Sequence, residues 1–259
     1  MKQESKVAIF TLTKDRLEYT QRMLRSLERF THIPYDHFVI DNGSTDGTVE
    51  FLKSRPGRIV DTIFNQENKG LSIGWNQALD MIGDDYDFII KIDNDCEILT
   101  DDWLEPILEI MKAFDNKIVM SPYVEGLREH KGGVPRYARK IINGHRIGLT
   151  KHLGGIALVA PAEAYGGFRF DEKLPLKGNQ DVTFSASINR LGYLLGYVED
   201  LRVVHMDTTD GQHKKYPNYF KHREVEMARV YGEQPILTRI KKPYRDWLFR
   251  HRVLKSIKR

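Results

Sequence analysis

Along the first hundred residues, short runs of continuous apolar residues alternate with longer stretches whose apolar positions recur every three or four residues. The runs predict strands buried on both faces and the stretches predict amphipathic helices, the pattern of βαβ units around a mostly parallel sheet. Residues 7–13 read as a strand, 17–30 as a helix turning Leu17, Met23, Leu24 and Leu27 inward, and 38–41 as a second strand. The turn Asp41-Asn42-Gly43-Ser44-Thr45-Asp46-Gly47 then caps a short helix over 49–53. A third strand at 59–64, a helix at 71–81 and a fourth strand at 88–93 complete this half. All four strands end near polar or acidic residues, and in an open α/β sheet such ends converge on one crevice where ligands bind.

The second half is less regular. The pattern predicts a helix over 103–114, a strand over 118–123, and a basic, glycine-bearing stretch over 125–151 that is either a mobile loop or a hairpin over the site. An apolar strand at 156–160, a helix at 181–191 and one or two strands across 193–204 follow, closing near His205. Residues 207–216 read as a polar mobile segment and 219–231 as a helix, and no repeat or low-complexity segment is apparent.

Composition fits a soluble globular chain, with 41% hydrophobic and 29% charged residues among 259, enough to bury one large core. The single Cys96 excludes an internal disulfide, and the first residues lead into a strand rather than an apolar signal segment, so a cytoplasmic setting is expected. No apolar run approaches the roughly 18 residues that span a bilayer. Charge is unevenly placed: residues 239–259 hold nine Lys or Arg against the single acid Asp246, which at a net charge of +4 leaves the remainder at −4. With Trp247, Leu248, Phe249, Val253, Leu254 and Ile257, this basic tail either rests on an anionic membrane surface or packs an apolar stripe on the body or a second subunit. No nucleic-acid motif accompanies the charge.

The sharpest chemical feature is Asp93-Asn94-Asp95 at the end of the run Phe88-Ile89-Ile90-Lys91-Ile92. Two carboxylates at the carboxyl end of a buried strand offer hard oxygen ligands that let Mg²⁺ or Mn²⁺ bridge to a diphosphate. The implied chemistry is metal-assisted transfer from a nucleotide-linked donor. The same spacing at Asp85-Tyr86-Asp87 reads as a solvated turn before the strand.

Five pieces in order resemble the family 2 glycosyltransferases, whose GT-A fold is a Rossmann-like, mostly parallel sheet flanked by helices. They are Phe10-Thr11-Leu12-Thr13 with Arg16, then Val39 through Thr48, then Asn68-Lys69-Gly70-Leu71-Ser72-Ile73-Gly74-Trp75-Asn76, then Asp93-Asn94-Asp95, and finally Gly178-Asn179-Gln180-Asp181 with Gly192-Tyr193 and His205. The resemblance implies a domain over 1–237, with a nucleotide-binding half to about residue 100 and an acceptor-binding half from 101, followed by the helical, basic extension 238–259. It implies donor binding by Thr11, Thr13, Arg16, Asp41, Asn68, Gly70, Asn76, Asp93 and Asn94. Asp95, Asp93 and His205 would hold Mn²⁺ or Mg²⁺, and Asp181 would be the general base.

Each piece also has its own chemistry. Asp41 at a strand end can accept from the N–H of a uracil or thymine ring, or can simply close an Asx turn. The segment 68–76 brings glycines and amides to a helix start, where N–H groups and the dipole favour a phosphate or sugar hydroxyl; it is equally an ordinary loop. His205 is a metal ligand or a structural residue, and its imidazole would favour Mn²⁺. Asp181 is a base or an N-cap. Trp75 stands where many relatives that use UDP-sugars carry arginine, and is core or a stacking surface; Trp103 is an acceptor wall or helix packing.

Gln180 and Thr183 stand where the family usually has acids. The expected activity is metal-dependent, inverting transfer from a UDP- or dTDP-sugar to a hydroxyl of a glycan, lipid-linked or other acceptor, in the cytoplasm or at the inner face of a membrane. A binding-only protein is the alternative that Gln180 and Thr183 raise. A sugar nucleotidyltransferase would carry a glycine-rich basic loop after the first strand, and Thr11 to Arg16 contains no glycine.

Overall fold

The computed structural model describes residues 5–125, 136–173 and 180–206. The elements are β1 (Val7–Thr13), α1 (Leu17–Phe30), β2 (Asp36–Asp41), α2 (Thr48–Lys53), β3 (Ile59–Phe64), α3 (Leu71–Ile82), β4 (Phe88–Ile92), β5 (Cys96–Ile98), α4 (Leu104–Lys112), β6 (Ile118–Glu125), β7 (Arg136–Ile142), β8 (His145–Thr150), β9 (Ala157–Pro161), a 3₁₀ turn (Ala162–Tyr165), α5 (Gln180–Arg190) and β10 (Leu194–His205). One sheet runs in the order β3-β2-β1-β4-β9-β6-β10-β8-β7, with β5 pairing to β10.

Alternation along β1 explains the layers. Val7 and Ile9 face a core shared with Met23, Leu24 and Leu27 of α1 and Ile107 of α4, while Ala8, Phe10 and Leu12 face Trp75, Ala78 and Leu79 of α3 and Phe184 of α5. A strand covered by helices on both sides reads as a largely apolar run, which is why β1, β2 and β4 were legible from hydrophobicity, whereas the edge strand β3 is mostly exposed or half-buried. Leu17, expected to point inward, is only partly buried at the helix start.

The first four strands are parallel, β1 pairing with both β2 and β4, and β2 with β3. Beyond β4 the sheet is mixed: β9 is antiparallel to β4 and β6, β6 is parallel to β10, and β10 is antiparallel to β8. A mostly parallel sheet therefore describes the first half only. Residues 136–150 of the basic stretch form the hairpin β7–β8, which extends the sheet edge beside β10. The expected mobile segment 207–216, the helix 219–231 and the tail 239–259 lie outside the described residues, as do Gly178 and Asn179. No helix among the described residues is long and apolar enough to cross a membrane.

His37 on β2 is fully enclosed, its Nε2 3.0 Å from the Thr11 hydroxyl. Burial lowers its pKa from 6.5 to about 3, so the folded protein holds the imidazole neutral. Between those values the unfolded chain binds the extra proton, and stability falls as pH falls from 6.5 towards 3, by on the order of 2 kcal/mol between pH 6 and pH 4. Melting temperature measured against pH should show a shallower acid limb for His37→Gln than for the parent; parallel limbs would disprove the assignment.

Candidate active site

The loop after β1 takes an unusual path to reach the crevice. Asp15 and Arg16 both adopt left-handed backbone conformations, with φ of 51° and 63°. Two consecutive non-glycine residues in that region cost roughly 1–2 kcal/mol each, so other interactions must hold them there. The Asp15 N–H donates to Ser44 Oγ at 2.7 Å, its carboxylate accepts from the Thr45 N–H at 2.7 Å, and Asp46 accepts from the Leu17 N–H at 2.9 Å. The turn after β2 thus clamps the turn after β1. The result is that the buried Arg16 guanidinium donates from NH2 to Asn94 Oδ1 at 2.7 Å and from NH1 to Asp95 Oδ2 at 3.1 Å.

His205 reaches the same oxygen from far along the sequence through β5, an element the hydrophobic pattern did not predict. This three-residue strand follows Asp95 directly and pairs antiparallel with β10, placing His205 opposite Cys96. The Met206 N–H donates to the Asp95 carbonyl at 2.9 Å, and His205 Nε2 lies 3.5 Å from Asp95 Oδ2. Among the described residues no group of three His, Cys, Asp or Glu gathers to hold a metal.

Asp93, expected to share the metal, has another partner. The Lys91 ammonium sits 2.5 Å from its Oδ1, donates to the Gly155 carbonyl and lies 4.3 Å from the centre of the Trp75 ring. Antiparallel pairing of β4 with β9 continues past the strand ends, where the Asp93 N–H donates to the Ile156 carbonyl at 2.9 Å and so holds the neighbouring Gly155 within reach of Lys91. Burial pushes the Asp93 carboxyl up to about 6, Lys91 opposing the shift and Asp95 and Asp181 adding to it.

Asp181, in the first turn of α5, presses on Gly155: a Cβ there would lie 2.1 Å from Asp181 Oδ1. The buried Tyr197 hydroxyl accepts from the Gly154 N–H at 3.0 Å, and burial raises its pKa, with the nearby Asp181 charge adding to the shift. Asp93, Lys91, Gly155 and Asp181 therefore form one connected group drawn from three elements.

The nucleotide-side residues divide. Asp41 is completely buried; its Oδ1 accepts from the Ser44 N–H at 2.9 Å and its Oδ2 has no partner among the described residues. Asn42 ties the turn to the next loop, donating to Asn68 Oδ1 at 2.8 Å and to the Gly70 carbonyl at 3.2 Å. Asn76 faces the segment after the 3₁₀ turn, bonded to both the N–H and the C=O of Phe170 and to Glu172 at 2.8 Å, so it braces that segment. Thr11 lies in the core against His37, and Thr13 bonds Thr20 and Asn94 inside the β1–α1 corner.

Trp75 is core, edge-on to Phe170 at 4.8 Å between ring centres, and Trp103 is core too, donating to Thr31 Oγ1 at 2.9 Å. Gly155, Lys91 and Tyr197 escaped the sequence reading. Lys91 alone left a trace, as a cation inside an otherwise apolar five-residue strand; Gly155 and Tyr197 acquire their contacts only through the β4–β9 and β10 pairings.

The model of glycosyl transferase family 2 matches residues 8–167, more than half of the chain. The chain belongs to glycosyl transferase family 2. None of the curated proteins matches this family 2 chain. Among solved structures it is similar to GalNAc-T7 with UDP, GalNAc and Mn²⁺, at 16% identity and a TM-score of 0.64 over 79% of this chain and 44% of that one. It is similar to the mannosyltransferase PcManGT from Pyrobaculum calidifontis in complex with GDP-Man and Mn²⁺, at 16% identity and 0.65 over 98% and 70%. S. aureus TarS 1–349 with UDP-GlcNAc gives 17% identity and 0.58 over 78% and 61%. These likenesses show a shared GT-A fold, and the chain spans less than half the length of GalNAc-T7.

The Gly155–Asp181 approach supplies a clean perturbation. Gly155→Ala should displace a side-chain tip rather than backbone, so the melting temperature should move little while turnover falls to the level of Asp181→Asn. Full turnover in Gly155→Ala would show that the position of the Asp181 carboxylate is unimportant.

Proposed function

We propose that this family 2 chain transfers a sugar from a nucleoside-diphosphate sugar to an acceptor hydroxyl, with inversion, using Asp181 as general base. The observation that carries this is the connected group of Asp93, Lys91, Gly155 and Asp181, which ties the donor-side strand end to the candidate base. A carboxylate at that position suits proton abstraction from a hydroxyl as it attacks the anomeric carbon. One-step displacement needs no covalent enzyme intermediate: the acceptor hydroxyl is the nucleophile, and no side chain acts as one.

UDP or dTDP suits the donor pocket best. Asp41 offers a single buried acceptor without a partner among the described residues, an arrangement costing about 1–3 kcal/mol until satisfied, and a uracil or thymine ring presents one N–H donor where guanine presents two kinds. The related structures solved with UDP, UDP-GlcNAc and GDP-Man show that the fold accepts such donors in other proteins.

The donor set at the end of β4 fits a divalent cation. Asp95 Oδ2 and His205 Nε2, 3.5 Å apart, can span one edge of a coordination shell with bonds of about 2.1 Å, and a nitrogen ligand favours Mn²⁺ over Mg²⁺. When bound, such an ion would neutralise charge on the departing diphosphate. Asp93, committed to Lys91, faces the donor ribose rather than the ion. The acceptor is a glycan, a lipid-linked sugar or another hydroxyl compound, the lipid-linked case suiting a basic tail at a membrane surface.

Nucleotide release from UDP-, dTDP- and GDP-sugars, with Mn²⁺, Mg²⁺ or EDTA, tests this. A UDP- or dTDP-sugar should be turned over with Mn²⁺, EDTA should abolish release, and Asp181→Asn should lower it by about 10²-fold or more while donor binding persists. Donor binding without release, across donors and acceptors, would instead establish the binding-only protein suggested by Gln180 and Thr183.

A further inference from the structure

Asp95 Oδ2 is contacted by the Arg16 guanidinium at 3.1 Å and faces His205 Nε2 at 3.5 Å. A divalent ion bound to that oxygen would come to rest beside a fixed positive charge. The second carboxylate of the triplet has its own cation, Lys91, but the two cations are held differently. Lys91 is enclosed by Asp93, the Gly155 carbonyl and the Trp75 face, three partners that no ligand need disturb. Arg16 is presented on a turn with strained backbone at Asp15 and Arg16, and its guanidinium spans the Asn94 amide and the Asp95 carboxylate, both at the crevice.

We infer that Arg16 is a resident counter-cation of the Asp95 carboxylate that gives way when metal and nucleotide bind together. Its guanidinium, a planar fork suited to bidentate phosphate recognition, then turns from the carboxylate to the diphosphate. Metal alone must compete with an ion pair without any new partner for the displaced cation, so it binds weakly. Nucleotide supplies that partner, so each ligand raises the affinity for the other by the same factor. This inference rests on the metal-dependent donor chemistry proposed above, and it makes Arg16 a positioning residue that enforces joint binding.

The test is Mn²⁺ binding followed by electron paramagnetic resonance of the free ion, with and without UDP, corrected for the Mn²⁺–UDP complex formed in solution. For the parent protein, UDP should tighten Mn²⁺ binding by about tenfold or more, within the usual range of site coupling. Arg16→Gln should bind Mn²⁺ more tightly than the parent in the absence of UDP, by a similar factor, and lose most of the UDP effect. Arg16→Lys, which keeps the charge but cannot span Asn94 and Asp95 together, should fall between them; circular dichroism melts establish that both variants fold. Unchanged or weaker Mn²⁺ binding by folded Arg16→Gln, with the UDP effect intact in the parent, would overturn the exchange and leave the transferase proposal standing. Absence of Mn²⁺ binding by any form, with or without UDP, would overturn both.

Discussion

The site depends on how the chain tolerates several carboxylates at the end of one strand. Asp93, Asp95 and Asp181 converge there, and unpaired charges removed from water cost several kcal/mol each. The Lys91 ammonium answers the first, binding Asp93 at 2.5 Å while its remaining protons reach the Gly155 carbonyl and its charge faces the Trp75 ring. A lysine at this depth is tolerable only when paired and fully bonded. Once it is fixed, it also fixes the loop that carries Gly155, and that loop decides where the Asp181 carboxylate can lie.

Topology supplies the other half of the arrangement. Parallel strands β1, β2 and β4 bring Arg16, Asp41 and Asp93 to one edge, as expected of an open α/β sheet. The mixed half then returns chain to that edge from the opposite direction: the residues leading into β9 bring Ile156 to Asp93 and Gly155 to Lys91, and β10 delivers His205 to Asp95 at its end. An antiparallel neighbour puts its own start or end wherever its partner's opposite terminus lies, so residues far apart in sequence meet without a long loop.

This distinction also sets what could be read from the sequence. The βαβ half announces itself, because strands buried on both faces are continuous apolar runs and helices such as 17–30 show a clear period. The family resemblance placed Asp41, Asp95 and Asp181 on the same basis, through local motifs at strand ends and a helix start. What stayed hidden is non-local. The strand Cys96–Ile98 has only three residues and exists because β10 pairs with it, so no periodicity could reveal it. Gly155 looks like loop until Asp181 is packed on it, and Asn76, expected at the donor, spends its amide on Phe170 and Glu172, ninety residues away. In the mixed second half the strands and helices were read near their positions, but not the strand directions, which are set by pairing that composition does not encode.

Charge balance gives a physical meaning to the two departures from the family pattern. With Gln180 and Thr183 neutral, the described site sets three carboxylates, Asp93, Asp95 and Asp181, against two cations, Lys91 and Arg16. Gln180 is almost fully buried. A glutamate there would bury a further charge beside Asp181, in a site that already holds one more carboxylate than cations. The neutral Gln180 and Thr183 therefore keep the carboxylates and cations of the site close to balance. The near-balance of charge is also what makes a joint arrival of metal and diphosphate favourable, since a divalent cation and the donor's anionic diphosphate nearly cancel and leave the site as close to neutral as they found it.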